Sequence, residues 1–106
     1  MKARHLIAIA ASLCVSATAF AAADGEALFK QNNCGMCHAA ASASPGPSLK
    51  DIAAKYANVE GAQSKLAAKV RNGGKGSFGS MPMPATPKSV SDESIKAMVH
   101  WILSQK

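Results

Sequence analysis

Convincing strand patterns are missing from this chain, and so is any long apolar run. The longest such run, Leu6 to about Val15, is too short to span a bilayer comfortably and has no basic flank at its far end. No stable membrane insertion is therefore expected. Aromatic residues are only 5% of the 106, and the lysines are scattered, with no dense basic run. Nucleic-acid binding, which pairs basic patches with stacking aromatics, is not expected. Cysteine is scarce too: Cys14, Cys34 and Cys37 are all there are. Cys14 lies within the N-terminal apolar run, and Leu13 before it is not the small residue that a lipoprotein signal would want. A zinc site would need two ligands beyond Cys34 and Cys37, and only His38 and His100 remain after the leader, so a tetrahedral set is poorly supplied. A thioredoxin-like redox pair would be expected near a βαβ pattern, which is absent.

What is present is Cys34-Gly35-Met36-Cys37-His38, a C-x-x-C-H sequence. This is the attachment signature of a c-type haem. Thiols three positions apart can each add to one of the two vinyl groups along one porphyrin edge. The imidazole that follows is then carried under the ring, where one nitrogen can bind iron. Cys34 and Cys37 are the expected thioether anchors, and His38 the expected proximal ligand.

Covalent haem c is assembled outside the cytoplasm, and the N-terminus reads accordingly. Met1 to His5 is a short basic head, the apolar run follows, and Ala19-Phe20-Ala21 fits an A-x-A cleavage site. Residues 1–21 are expected to be a signal peptide, with Ala21-Ala22-Ala23 as the next choice of site and cleavage then as late as 23. Residues 22–106 would then be one exported domain. Losing Lys2 and Arg4 takes the formal charge from +6 to +4, a solvated surface on which a few lysines could steer an acidic redox partner. So small a domain usually needs a staple, and with both remaining cysteines committed, a covalent haem is that staple. The chain without it is expected to be weakly folded or unfolded.

Four helices are predicted in the mature chain. Asp24 caps the first, from about Gly25 to Gln31, and the haem motif behind it is helical as well. Ser48 starts the second, which runs to about Ala57, with Leu49, Ile52, Ala53 and Tyr56 on one face. The third runs from about Gly61 to Arg71, with Gly73 as its stop and with Lys69 and Arg71 suiting the dipole of its last turn. Ser91 caps the last, whose buried stripe is Ile95, Met98, Val99 and Ile102. His100 falls on the polar side of that helix.

Between the third and last helices, Gly73 to Ser89 is rich in glycine and proline and cannot be helical. Within it Met83 stands between Pro82 and Pro84, which stiffen the segment and present the side chain in a defined place. Thioether sulfur is a known sixth ligand of haem iron, and His/Met pairing raises the reduction potential. Met83 is the chosen ligand and Met81 its rival on spacing alone.

Taken together, Gly25-Glu26-Ala27-Leu28-Phe29, the C-x-x-C-H motif, Gly46-Pro47, Arg71-Asn72-Gly73, Pro82-Met83-Pro84 and Trp101 to Lys106 resemble the small bacterial class I cytochromes c of the c-551/c-552 type. The resemblance covers essentially the whole mature chain. It implies an all-α fold of four to five short helices around one haem c, with the first and last helices crossing and Gly25 and Phe29 near Trp101. It also implies that Met83, not Met81, binds iron and that the Pro47 carbonyl accepts the N–H of His38, fixing the imidazole. The family often carries a tryptophan where Phe78 stands, reaching a haem propionate, and phenylalanine cannot donate that bond.

The expected function is a monomeric periplasmic one-electron carrier, not an enzyme. By resemblance its donor is a quinol-oxidising complex or another cytochrome. Its acceptor is a nitrite reductase, an oxidase or a peroxidase. The alternative is a haem enzyme or gas-binding sensor with an open sixth site, but the loop supplies no obvious distal acid or base. A module docked permanently to a larger complex is a third reading, disfavoured by the lack of a second domain or anchor.

Overall fold

The last helix is the spine on which the others are laid. The computed structural model describes residues 18–43 and 45–106, with side chains from Asp24 onward. In chain order the elements are α1 (Thr18–Gln31), a 3-10 turn (Cys34–Met36), α2 (Leu49–Tyr56), α3 (Ala62–Asn72) and α4 (Asp92–Leu103). Helix α4 packs against α1, α2 and α3. Among the described residues there is no strand, only two isolated bridges, His38 with Ala43 and Gly74 with Met83. The chain is thus all-α, as its sequence implies.

Local chemistry explains most boundaries. Ser48 and Ser91 each stand in extended backbone, and each accepts from the backbone N–H three residues on, Asp51 and Ser94, at 3.1 Å. These bonds satisfy N–H groups that a helix start leaves orphaned. Helix α3 stops at Gly73, whose φ of 65° turns the chain away. Helix α1 departs from expectation. It begins at Thr18, so Asp24 lies inside the helix and caps nothing. The alanine-rich stretch from Ala19 to Ala23 is among the best helix-forming sequence available and carries the helix upstream. The expected leader, residues 1–21, falls for the most part outside the described residues.

The crossing of α1 over α4 depends on one missing methyl. Gly25 is buried, and a Cβ there would lie 2.7 Å from the Trp101 Cβ and closer still to the Ala97 carbonyl oxygen. Any side chain would push the helices apart. One turn on, the Phe29 ring meets Trp101 at a centroid distance of 5.1 Å, tilted by 53°. This is the geometry in which the edge of one ring meets the face of another.

The buried core is a single cluster of Phe29, Leu49, Ile52, Leu66, Val70, Ile95, Met98, Val99 and Ile102. It is not closed. Most of these side chains also form the floor of a cleft that opens between the helices and the two long loops. Apolar surface left facing a cleft gains nothing from burial until something covers it.

Candidate functional site

The cleft has a volume of about 190 Å³. Two chain segments complete it above the apolar floor. One is the C-x-x-C-H motif with the loop that follows, and the other is the glycine- and proline-rich loop after α3.

The motif segment is built almost entirely from local bonds. Helix α1 ends at Gln31, and Asn33 takes the left-handed conformation, with φ of 59°, to turn the chain. Asparagine tolerates this region better than most residues. The 3-10 turn then places Cys34, Cys37 and His38 in one tight curl, with the Cys37 and His38 N–H groups both donating to the Cys34 carbonyl, at 3.2 and 3.0 Å. The next loop folds back onto this curl. Gly46 N–H donates to the Cys37 carbonyl at 2.8 Å, and Leu49 N–H donates to the Ala39 carbonyl at 2.9 Å.

His38 Nδ1 lies 2.9 Å from the Pro47 carbonyl oxygen. A carbonyl can only accept, so Nδ1 is the donor, and in the neutral tautomer with that proton Nε2 keeps the lone pair. Cys34, Cys37 and His38 all line the cleft. Both cysteines are free thiols. Burial pushes the Cys34 thiol above its usual range; its backbone hydrogen bond pulls the other way and the neighbouring Cys37 adds a little to the rise.

The second segment brings both candidate methionines to the same cleft, but it treats them differently. Met83 is half-buried against the core, and its backbone N–H and carbonyl exchange hydrogen bonds with Gly74 at 2.8 and 2.9 Å. Met81 is 65% exposed. Met98 is core, at 1% exposure, and His100 is exposed on α4 and does not line the cleft. Phe78 stands at the cleft with its ring under the Lys55 ammonium, 4.3 Å from the centroid, and Lys55 also donates to the Ser77 carbonyl.

These residues fit a covalent haem. The cleft is apolar, as a porphyrin requires, and its thiols, its Nε2 lone pair and its half-buried thioether are the donor types of a c-type centre. Among the described residues no carboxylate lines it.

Three contributors went unread in the sequence. Gly46, read only as a family marker, is one, since a Cβ there would lie 2.9 Å from His38 Cε1 and 2.8 Å from the Cys37 carbonyl oxygen. Lys55 on Phe78 is another. The third is Arg71, read only as a dipole partner and a family marker; its guanidinium reaches Pro87, Val90 and Asp92. Its signal was available, because Arg71 is the only arginine after residue 21 and immediately precedes the irregular loop.

Residues 22–106 match the family model described as Cytochrome c. Cytochrome c-551 of Pseudomonas aeruginosa is 41% identical over 106 residues, covering all of both chains. Cytochrome c-552 of Nitrosomonas europaea is 44% identical over 106 residues, again covering all of both. The crystal structure of wild-type cytochrome c552 from the same organism superposes with a TM-score of 0.72 at 46% identity, covering 76% of this chain and 99% of that one.

Proposed function

The chain belongs to the cytochrome c family and is a small class I electron carrier with a covalently bound haem c; from that premise we propose that it works in the periplasm, with His38 and Met83 as the two axial ligands of its iron. The observation that carries this reading is the convergence of Cys34, Cys37, His38 and Met83 on one apolar cleft lined by no carboxylate. Such a site can hold an iron and screen it from water, and no carboxylate acid or base lines it among the described residues.

When bound, the haem supplies a one-electron couple. Cys34 and Cys37 tether it through thioethers. His38 offers Nε2, and the Pro47 carbonyl keeps the ring in one tautomer and one orientation while making it a better donor. Met83 offers its sulfur from a segment pinned to Gly74. The same two side chains would serve both oxidation states, so electron transfer would demand little rearrangement of the protein. The aliphatic floor from Leu49, Ile52, Leu66 and Val70 keeps the dielectric low around them.

A family match that begins at residue 22 supports a leader ending at Ala21. No helix among the described residues is long and apolar enough to cross a membrane. The proposed donor is a quinol-oxidising complex or another cytochrome. The proposed acceptor is a nitrite reductase, an oxidase or a peroxidase, reached by the protein as a monomer; these assignments rest on the family resemblance.

The test is the far-red absorption of the purified ferric protein. The expected result is a weak sulfur-to-iron band, absent in Met83→Ala and retained in Met81→Ala, with the potential lowered only in the former. Carbon monoxide binding by the native ferrous protein at neutral pH would mean an open sixth site and overturn the carrier reading. Loss of the band in Met81→Ala alone would move the ligand to Met81.

A further inference from the structure

We propose that Arg71 is the positioning residue of the methionine loop, clamping its return limb so that the Met83 thioether stays in place. The inference rests on the reading of Met83 as a ligand. Arg71 lies in the last turn of α3, and its side chain is only 23% exposed. Its Nη1 donates to the Pro87 carbonyl at 3.0 Å, and its Nη2 donates to the Val90 carbonyl and to Asp92 Oδ1, both at 2.7 Å. Its own carbonyl accepts from the Thr86 N–H at 3.2 Å. One residue thus holds positions 86, 87, 90 and 92, which is the whole limb from just beyond Met83 to the first turn of α4.

Val90 also packs against the core, but among the described residues few other hydrogen bonds hold that limb. The remaining backbone bonds from residues 84–90 are Thr86 N–H to Val70 and Val90 N–H to Pro87. Upstream, the loop is exposed and tethered to α2 by Lys55 alone. Met83 therefore sits between the Gly74 bridge and the Arg71 clamp. The chemistry calls for arginine. A planar guanidinium presents several donors in a fixed fork, whereas an ammonium is a single point charge that cannot reach three acceptors in this arrangement. The bonds that matter are those to the two carbonyls. Asp92 is 84% exposed, so its ion pair is screened and weak.

The test uses the full ferric holoprotein and two readouts that follow the thioether directly. One is the temperature at which the far-red sulfur-to-iron band disappears. The other is the rate at which added imidazole takes the sixth site, which requires the sulfur to leave. Arg71→Gln is expected to speed imidazole entry about tenfold or more, the effect of losing one charged hydrogen bond, and to lose the band well below global unfolding. Arg71→Lys should fall between Arg71→Gln and wild type, and it carries the test if Arg71→Gln fails to accumulate. Asp92→Asn should stay within about twofold of wild type. Ile95→Val, buried on α4 away from the cleft, supplies the effect of a general loss of stability.

If the Arg71 variants speed imidazole entry no more than Ile95→Val does for the same fall in unfolding temperature, the clamp is wrong. If Asp92→Asn matches Arg71→Gln, the ion pair and not the carbonyl fork is the cause, and the proposal fails in that form. Should Met83→Ala keep the band, the ligand reading itself has failed, and that result is separable from either outcome at Arg71.

Discussion

The two segments that complete the cleft are held by different kinds of interaction. From Asn33 to Leu49 the bonds are short in sequence. The 3-10 turn closes on itself, and the longest span to the imidazole is the nine residues from His38 to Pro47. From Gly73 to Val90 the bonds reach across the fold. Arg71 meets Val90 nineteen residues on, and Lys55 meets Ser77 from twenty-two residues away. The histidine side can take shape from its own neighbourhood, whereas the methionine side waits for α2, α3 and α4 to be in place. The methionine side should therefore fail first under heat, denaturant or mutation. That order would suit a carrier with the proposed ligands, because covalent anchors would keep the cofactor even while the Met83 thioether was briefly displaced.

Two glycines break this comparison most directly. At Gly73 a methyl would meet the Met83 carbonyl oxygen and lie 2.8 Å from the Ala85 N, in a backbone with φ of 65°. Gly73→Ala is expected to cost about 3 kcal/mol, from overpacking and left-handed strain together, and to abolish the far-red band before the protein unfolds. At Gly46 a methyl would crowd His38 and the Cys37 carbonyl, without the left-handed strain. Gly46→Ala should cost about 2 kcal/mol and keep the band, because the motif stays tethered through Cys34 and Cys37. Denaturant unfolding of the ferric proteins, followed in the far red and by circular dichroism, checks both. A Gly46→Ala protein that lost its band first would reverse the order of strength.

The two serine caps sharpen the same contrast at smaller scale. Ser48 is 1% exposed and begins the helix after the histidine loop, while Ser91 is exposed and begins the helix after the methionine loop. Ser48→Ala should cost about 1.5 kcal/mol, since it removes the buried acceptor of a part-buried bond, and Ser91→Ala about 0.5 kcal/mol, since its bond is exposed and water can replace the hydroxyl. Thermal unfolding of the two variants side by side measures the difference, and equal losses would mean that burial is not what separates them. The smallest effect belongs to Lys55. Lys55→Met removes an exposed cation–π contact and one hydrogen bond, worth about 0.5 kcal/mol. It should leave the far-red band intact, and loss of the band would show that the loop's outward limb, not its return limb, bears the methionine.

The helices and the core stripe on α4 could be read directly, because capping serines and three-to-four spacing act within a turn or two. Ser48, Ser91, Ile95, Met98, Val99 and Ile102 all stand where that reasoning put them. The start of α1 could not be read the same way. Asp24 has the chemistry of a cap, but the alanines before it outweigh a cap worth about 1 kcal/mol. Whether Gly25 was a close-packing position or merely a weak first turn was not legible either. The answer depends on Ala97 and Trp101, more than seventy positions away.

What the chain determines by itself is the haem-attachment chemistry. Two thiols and an imidazole within five consecutive residues need only one turn of backbone to come together, and that turn is written in the same residues. What only the tertiary structure decides is the setting of the opposing side chain. Met81 and Met83 share one short segment, and composition barely separates them. The Gly74 bridge and the packing of Met83 on the core place one against the floor and leave the other facing water. Interactions of that span carry no local signature, because each needs two distant parts of the chain to have folded already.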